Sequence, residues 1–216
     1  MAALIELTSA LPGRKASRPV RRQQLIDATI AVLARKGFSA LTVSDVAKAA
    51  GLSVGIINFH FESKEKLLSA CLAHLADEYS RNWKRALATP DASDAEKLLL
   101  MMLSDIDDGV FTNDKRGAWM AFWGEAQGRP TYTEICSAYD DERTSVIIDL
   151  CEKIIRDGGY DLEPTIVAQA VESLNDGLWL GVSPGNAYLK STISTDSARL
   201  AIKASLRSFF PKHYSP

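Results

Sequence analysis

From residue 19 to residue 209 apolar side chains recur at three- and four-residue steps, and nowhere do they alternate across six consecutive positions. That period belongs to an α-helix laying one face on a core, and the missing alternation removes the half-buried strand. The chain therefore reads as all-α, and its glycines and prolines divide it. Residues 1–18 form a flexible arm broken at Pro12-Gly13 and Arg18-Pro19. A first helix spans about 19–36 and stops at Gly37. Thr42, with Asp45 three residues on, opens a short helix whose apolar face is Val43, Val46, Ala47 and Ala50. Gly51 ends it, and Ser53 is placed to cap a second short helix over 54–60. Longer helices follow over about 64–88, 93–110, 115–127, 131–156, 163–181 and 195–209. The organisation is about nine helices: a three-helix head over 19–62, a body over 63–210 for ligand sensing and dimerisation, and a tail over 211–216. The boundary falls inside the helix that begins after Ser63, so the two parts share it.

Composition excludes several classes. Of 216 residues, 46% are hydrophobic and 24% charged, which is neither a disordered chain nor a collagen-like or disulfide-framed one. The longest strong apolar run, Leu98 to Leu103, is far below the ~20 residues of a membrane span. The first residues lack the basic start and clean apolar core of a leader. The expected location is the cytoplasm, without membrane contact. Cys71, Cys136 and Cys151 lie far apart, which suits free buried thiols in a reducing compartment. Asp105, Asp107 and Asp108 read as a solvated helix end; no metal site and no cofactor are expected. The histidines are His60, His74 and His213, and no nucleophile elbow, phosphate loop or zinc-protease motif accompanies them. Cys71 and His74 share a helix but lack a third group, so the chain is not expected to be an enzyme.

Charge is unevenly placed. Residues 14–66 carry ten basic and four acidic side chains, whereas residues 67–216 carry fifteen basic and twenty-two acidic. A basic head on an acidic body suits a polyanionic partner for the head alone. Within that head, segment 42–60 has the layout of a helix-turn-helix, with Gly51-Leu52-Ser53 as the turn. Such a motif lays its second helix in the major groove of double-stranded DNA. The candidate base readers are Val54, Gly55, Ile56 and Asn58, with Phe59 and His60 on the same helix. Thr42, Ser53 and Lys64 are the candidate phosphate contacts. Two short helices around a glycine also suit a helical interaction module that never meets DNA; that alternative stays open on spacing and charge alone.

The run from Leu25 to Leu68 resembles the DNA-binding head of the TetR transcriptional regulators. The matching features are Gly37, Phe38 and Thr42, the pattern across Val43–Ser53, and Gly55, Phe61, Lys64, Leu67 and Leu68. One departure is Asn58, where the family usually carries a tyrosine that contacts phosphate. Arg21 to Ala28, Gly55-Ile56-Ile57, Phe122-Trp123 and Asp176 to Leu180 resemble the BetI subfamily of choline-responsive repressors. Here Gly181 stands where those repressors carry arginine. The resemblance implies a homodimeric repressor of a palindromic operator, controlling choline-to-glycine-betaine genes with choline as inducer. It also implies a dimer built from the last two long helices. A TetR-type repressor of another hydrophobic or cationic ligand remains the alternative.

Trp119, Trp123 and Trp179, with Tyr132 and Tyr139, have the chemistry of a quaternary-ammonium cage, because aromatic faces attract large, weakly hydrated cations. Asp176 and Glu125, with Asp140 and Asp141 as further candidates, supply the complementary charge. Tryptophans at helical spacing also serve as plain core, and the sequence does not separate the two.

Overall fold

The computed structural model describes residues 16–107, 111–125, 130–182 and 193–214. Among them are nine helices and no strand: α1 Arg18–Ala40, α2 Val43–Ala50, α3 Val54–Phe61, α4 Lys64–Leu87, α5 Asp94–Ser104, α6 Asn113–Glu125, α7 Pro130–Gly158, α8 Pro164–Val182 and α9 Thr195–Phe209. Local signals place most ends. Thr42 and Asp45 form the capping box of α2, Ser93 and Glu96 that of α5, and the Ser63 hydroxyl accepts from the Lys66 N–H at the start of α4. Gly51 closes α2 with φ 65°, ψ 31°, a left-handed conformation that a Cβ disfavours.

Four boundaries differ from expectation. Arg18 already belongs to α1, because Pro19 fits a first turn, where its missing N–H has no partner to lose; residues 1–15 lie outside the described part. Gly37 (φ 73°, ψ 176°) breaks α1 as expected, but a further turn follows to Ala40. Ser53 precedes α3 without a side-chain cap bond. α5 ends at Ser104, short of Val110, which lies outside the described residues.

The buried side chains form two clusters. One runs unbroken from Leu25, Val46 and Ile57 of the head through Leu68 and Leu72 of α4 to Trp119, Phe122 and Trp179 of the body. The other joins Trp83, Leu98, Ile147, Ile154, Ile202 and Leu206 in the far half of the body. The head is thus no separate globule: its core continues into α6 and α8. All three cysteines are free and buried. No helix is long and apolar enough to cross a membrane among the described residues.

Candidate functional site

The head presents α3 outward. Ile57 and Phe61 face the core, while Val54, Ile56 and Phe59 are 40%, 36% and 68% exposed. Gly55 and Asn58 share that open face, and a Cβ on Gly55 would meet only the Ser53 hydroxyl, at 3.8 Å. Three apolar side chains on the surface of a basic head suit contact with thymine methyls and the groove floor. The other candidates sit differently. The Thr42 hydroxyl donates to Asp45 Oδ2 at 2.6 Å and accepts from the Asp45 N–H, so capping occupies it. Lys64 Nζ donates to the Leu41 carbonyl at 2.6 Å, which ties α4 to the start of α2. His60 is half-buried between Phe59 and Phe61, its Nδ1 without a partner. Burial, with Arg18, Arg21 and Arg22 nearby, holds its pKa below the usual imidazole value.

Those arginines were not among the sequence candidates. The Arg18 guanidinium lies 5.6 Å from the Phe59 ring centroid and that of Arg22 4.9 Å from Phe61. The first turn of α1 therefore flanks the last turn of α3. Sequence counted these charges in the head but gave no reason to join residues 18–22 to 59–61; only the packing of α1 across α3 does.

The body holds a cavity of about 380 Å³ between α4, α6, α7 and α8. Five aromatic rings form a closed circuit on its wall. Tyr79 lies 6.4 Å from Trp119, Trp119 6.4 Å from Trp123, Trp123 5.0 Å from Trp179, Trp179 6.5 Å from Phe111, and Phe111 5.8 Å from Tyr79, centroid to centroid. The Trp123 indole N–H donates to the Tyr132 hydroxyl at 2.7 Å, which fixes both rings. Helical spacing aligns the lining: Trp119 and Trp123 on α6, Asp140 and Arg143 on α7, Glu172, Asp176 and Trp179 on α8.

The floor is polar. Asp105 is 5% exposed, and its Oδ2 accepts from Arg143 Nη2 at 2.6 Å and Asn175 Nδ2 at 2.5 Å. The expected solvated acidic cluster is thus corrected: α5 ends one residue before Asp105, turning that carboxylate inward. Asp107 stays exposed, and Asp108 lies outside the described residues. Burial pushes Asp105 up to about 6 against the pull of Arg143. Asp140 is also pushed up to about 6, by desolvation and by Asp141 and Asp176. Desolvation raises Glu172 and Asp176 as well, with Arg143 opposing.

The structure thus brings Trp119, Trp123, Trp179 and Asp176 together, with Tyr132 and Asp140. Glu125 is a correction: two residues past Trp123 it leaves the cavity face and accepts from the Ser39 hydroxyl at 3.2 Å, beside the head. Tyr139 is another: one position before Asp140 it points about 100° away around α7 and packs on the head-side cluster. Asp141 is likewise off the wall and exposed. Sequence missed Tyr79, Phe111, Arg143 and Glu172. At Gly181, a Cβ would stand 2.6 Å from Ile193 Cδ1, so Ile193 packs directly against the position that lacks the subfamily's arginine.

Comparison with known proteins agrees with this arrangement. Residues 25–71 match the model for bacterial regulatory proteins of the tetR family, and residues 94–211 match that for the BetI-type transcriptional repressor C-terminal domain. The HTH-type transcriptional regulator BetI of Serratia proteamaculans (strain 568) is 32% identical over 164 residues, covering 76% of this chain and 81% of that protein. A TetR-like transcriptional regulator from Rhodococcus sp. RHA1 shares the fold, with TM-score 0.72 and 21% identity, over 90% of this chain and 98% of that one. So does a Saccharomonospora viridis protein solved in complex with choline, with TM-score 0.71 and 22% identity, over 85% of this chain and 93% of that one. A basic helix-turn-helix head whose core runs into a helical body with an aromatic-lined cavity, matched along both parts, makes this chain a member of the TetR family of DNA-binding transcriptional repressors, with a BetI-type C-terminal domain.

Proposed function

We propose that the chain is a homodimeric repressor of a palindromic operator, released by choline or a close quaternary ammonium, and that it controls choline-to-glycine-betaine genes. The observation that carries the ligand is the closed circuit of five rings beside carboxylates, which suits a large, weakly hydrated cation. Several ring faces and one or two carboxylates supply micromolar to millimolar affinity, about −8 to −4 kcal/mol. The solved relative with bound choline and the BetI-named relatives support the same reading.

In this reading Val54, Gly55, Ile56, Asn58 and Phe59 read bases. Ser53, with Arg18 and Arg22, meets phosphates. Thr42 and Lys64 act through the phosphate-facing backbone they hold in place. Dimerisation sets two heads on a two-fold axis. Its surface is the outer face of α8 and α9, where Ile166 and Leu200 are 62% and 67% exposed. Ile202 and Leu206 of α9 face inward instead and lie in the protomer's own core. The cation shifts the population toward a body conformation whose heads no longer fit adjacent grooves. The shared route is α4, together with the contact of α6 on α1.

Calorimetry with choline and its neutral isostere 3,3-dimethylbutan-1-ol tests the ligand; equal binding of the two defeats the cation reading. Retardation of the promoter duplex of the chain's own gene, reversed by choline, tests repression. A monomer at micromolar concentration in sedimentation defeats the dimer, and Ile166→Glu with Leu200→Glu is expected to produce one.

A further inference from the structure

We propose that this pocket takes a ligand with two positive charges: an alkylated ammonium among the rings and a second, protonated amine at the mouth, between Asp140 and Asp176. The inference rests on the cation reading above and extends it. Asp105, Asp140, Glu172 and Asp176 border the cavity, and Arg143 is the one basic residue among the lining. Four carboxylates against one guanidinium leave three negative charges, and one quaternary ammonium leaves two of them unbalanced.

Arg143 does not serve the mouth. Its Nη2 is on Asp105 at 2.6 Å and its Nε 3.8 Å from Glu172, deep in the floor. Asp140, on α7, and Asp176, on α8, both line the cavity and are both exposed to solvent. Neither makes an ion pair among the described residues, and the charge of Asp176 helps to raise Asp140. Two like charges on one cavity, reached by the field of Arg143 but in ion pair with no cation among the described residues, form a seat for a group that carries several N–H donors and a full charge. A trimethylated head has no N–H to offer; a primary ammonium has three. The cavity of about 380 Å³ has the volume for both, and rings and carboxylates share its lining. The ligand class is therefore an N-alkylated diamine with its two nitrogens a few carbons apart.

The probe pair is (3-aminopropyl)trimethylammonium and n-butyltrimethylammonium. They share head and length and differ in a terminal ammonium for a methyl. Calorimetry at neutral pH and low salt, on the full chain, compares them with choline. The expected result is that the aminopropyl cation binds about tenfold or more tightly than the butyl one, falling as salt rises. In Asp140→Asn with Asp176→Asn the advantage disappears, while the butyl cation still binds. In Asp161→Asn, exposed beyond the far end of α7, the advantage stays. Equal binding of the pair, with choline still bound, overturns the second seat and leaves the single-cation reading standing. An advantage that survives the double variant, or that Asp161→Asn removes, also overturns it, because overall charge then explains the gain. Binding of none of the three cations overturns both readings.

Discussion

Gly117 of α6 lies against Ala34 of α1 so closely that a Cβ on Gly117 would stand 2.8 Å from both the Ala34 Cα and Cβ. Backbone, rather than the end of a flexible side chain, fills that space, so nothing can swing aside. The contact welds the effector side of the body to the helix that carries the head. Gly117→Ala is expected to push α6 off α1, at an overpacking cost of ~1–3 kcal/mol. Thermal unfolding should fall by roughly 2–4 °C for each kcal/mol. Promoter binding, read by fluorescence anisotropy, should weaken even below the melting range, because the head angle changes with the helix.

The indoles should contribute unequally. Trp123 and Trp179 are the tightest neighbours in the circuit, 5.0 Å apart and tilted by 54°, whereas Trp119 stands further back, 6.4 Å from Trp123. A desolvated cation–π contact is worth ~1–2 kcal/mol, so Trp123→Ala and Trp179→Ala should each weaken choline by about tenfold or more in calorimetry. Trp83→Phe, in the far cluster, should leave affinity unchanged.

Acid should weaken cation binding. Asp140 titrates near 6 in the free protein. A bound cation stabilises the carboxylate and lowers that value, so affinity is full above it and falls as pH drops through about 6. Choline titrations across this range should show the loss together with proton release on binding, and Asp140→Asn should reduce both, leaving the share of Asp105, which burial also pushes up to about 6. A pH-independent affinity in the wild type would contradict the assignment.

Arg143 and Asp105 form a buried pair, each side chain 7% exposed. Removing one partner strands the other charge, so Arg143→Met should cost ~3–5 kcal/mol in urea unfolding. The double variant Asp105→Asn, Arg143→Met should recover part of that loss, since the buried Asp105 charge leaves with its partner and only Glu172, more exposed, stays without the guanidinium.

Gly55 tests the reading surface without touching the fold. A side chain there enters open space, so Gly55→Leu should melt with the wild type. It should nevertheless lose promoter binding while retaining weak, salt-sensitive affinity for random duplex. Unchanged promoter binding would remove Gly55 from the interface.

What could be read in advance follows sequence distance. The head was legible because caps, glycines and apolar steps act within four residues, and Thr42, Gly51 and Ser63 announce themselves locally. The tryptophan wall was half legible, since α6 and α8 each carry their lining at helical steps. Arg143 was not, because its partner Asp105 stands 38 residues away and Asn175 lies 70 residues beyond that aspartate. Glu125 and Tyr139 failed for a geometric reason. Chemistry selected them as a carboxylate and an aromatic near the right residues, but one or two positions on a helix rotate a side chain off the face.

The clustering of indoles gives the molecule an optical property. Of its four tryptophans, Trp119, Trp123 and Trp179 border the effector cavity, and Trp83 alone belongs to the other core cluster. Intrinsic emission is therefore weighted three to one toward the site, with near neighbours coupled closely enough to share excitation. Ligand entry displaces water from these rings and places charge against them, so occupancy registers as a change in colour and brightness. A ligand seated there would be read without an added dye.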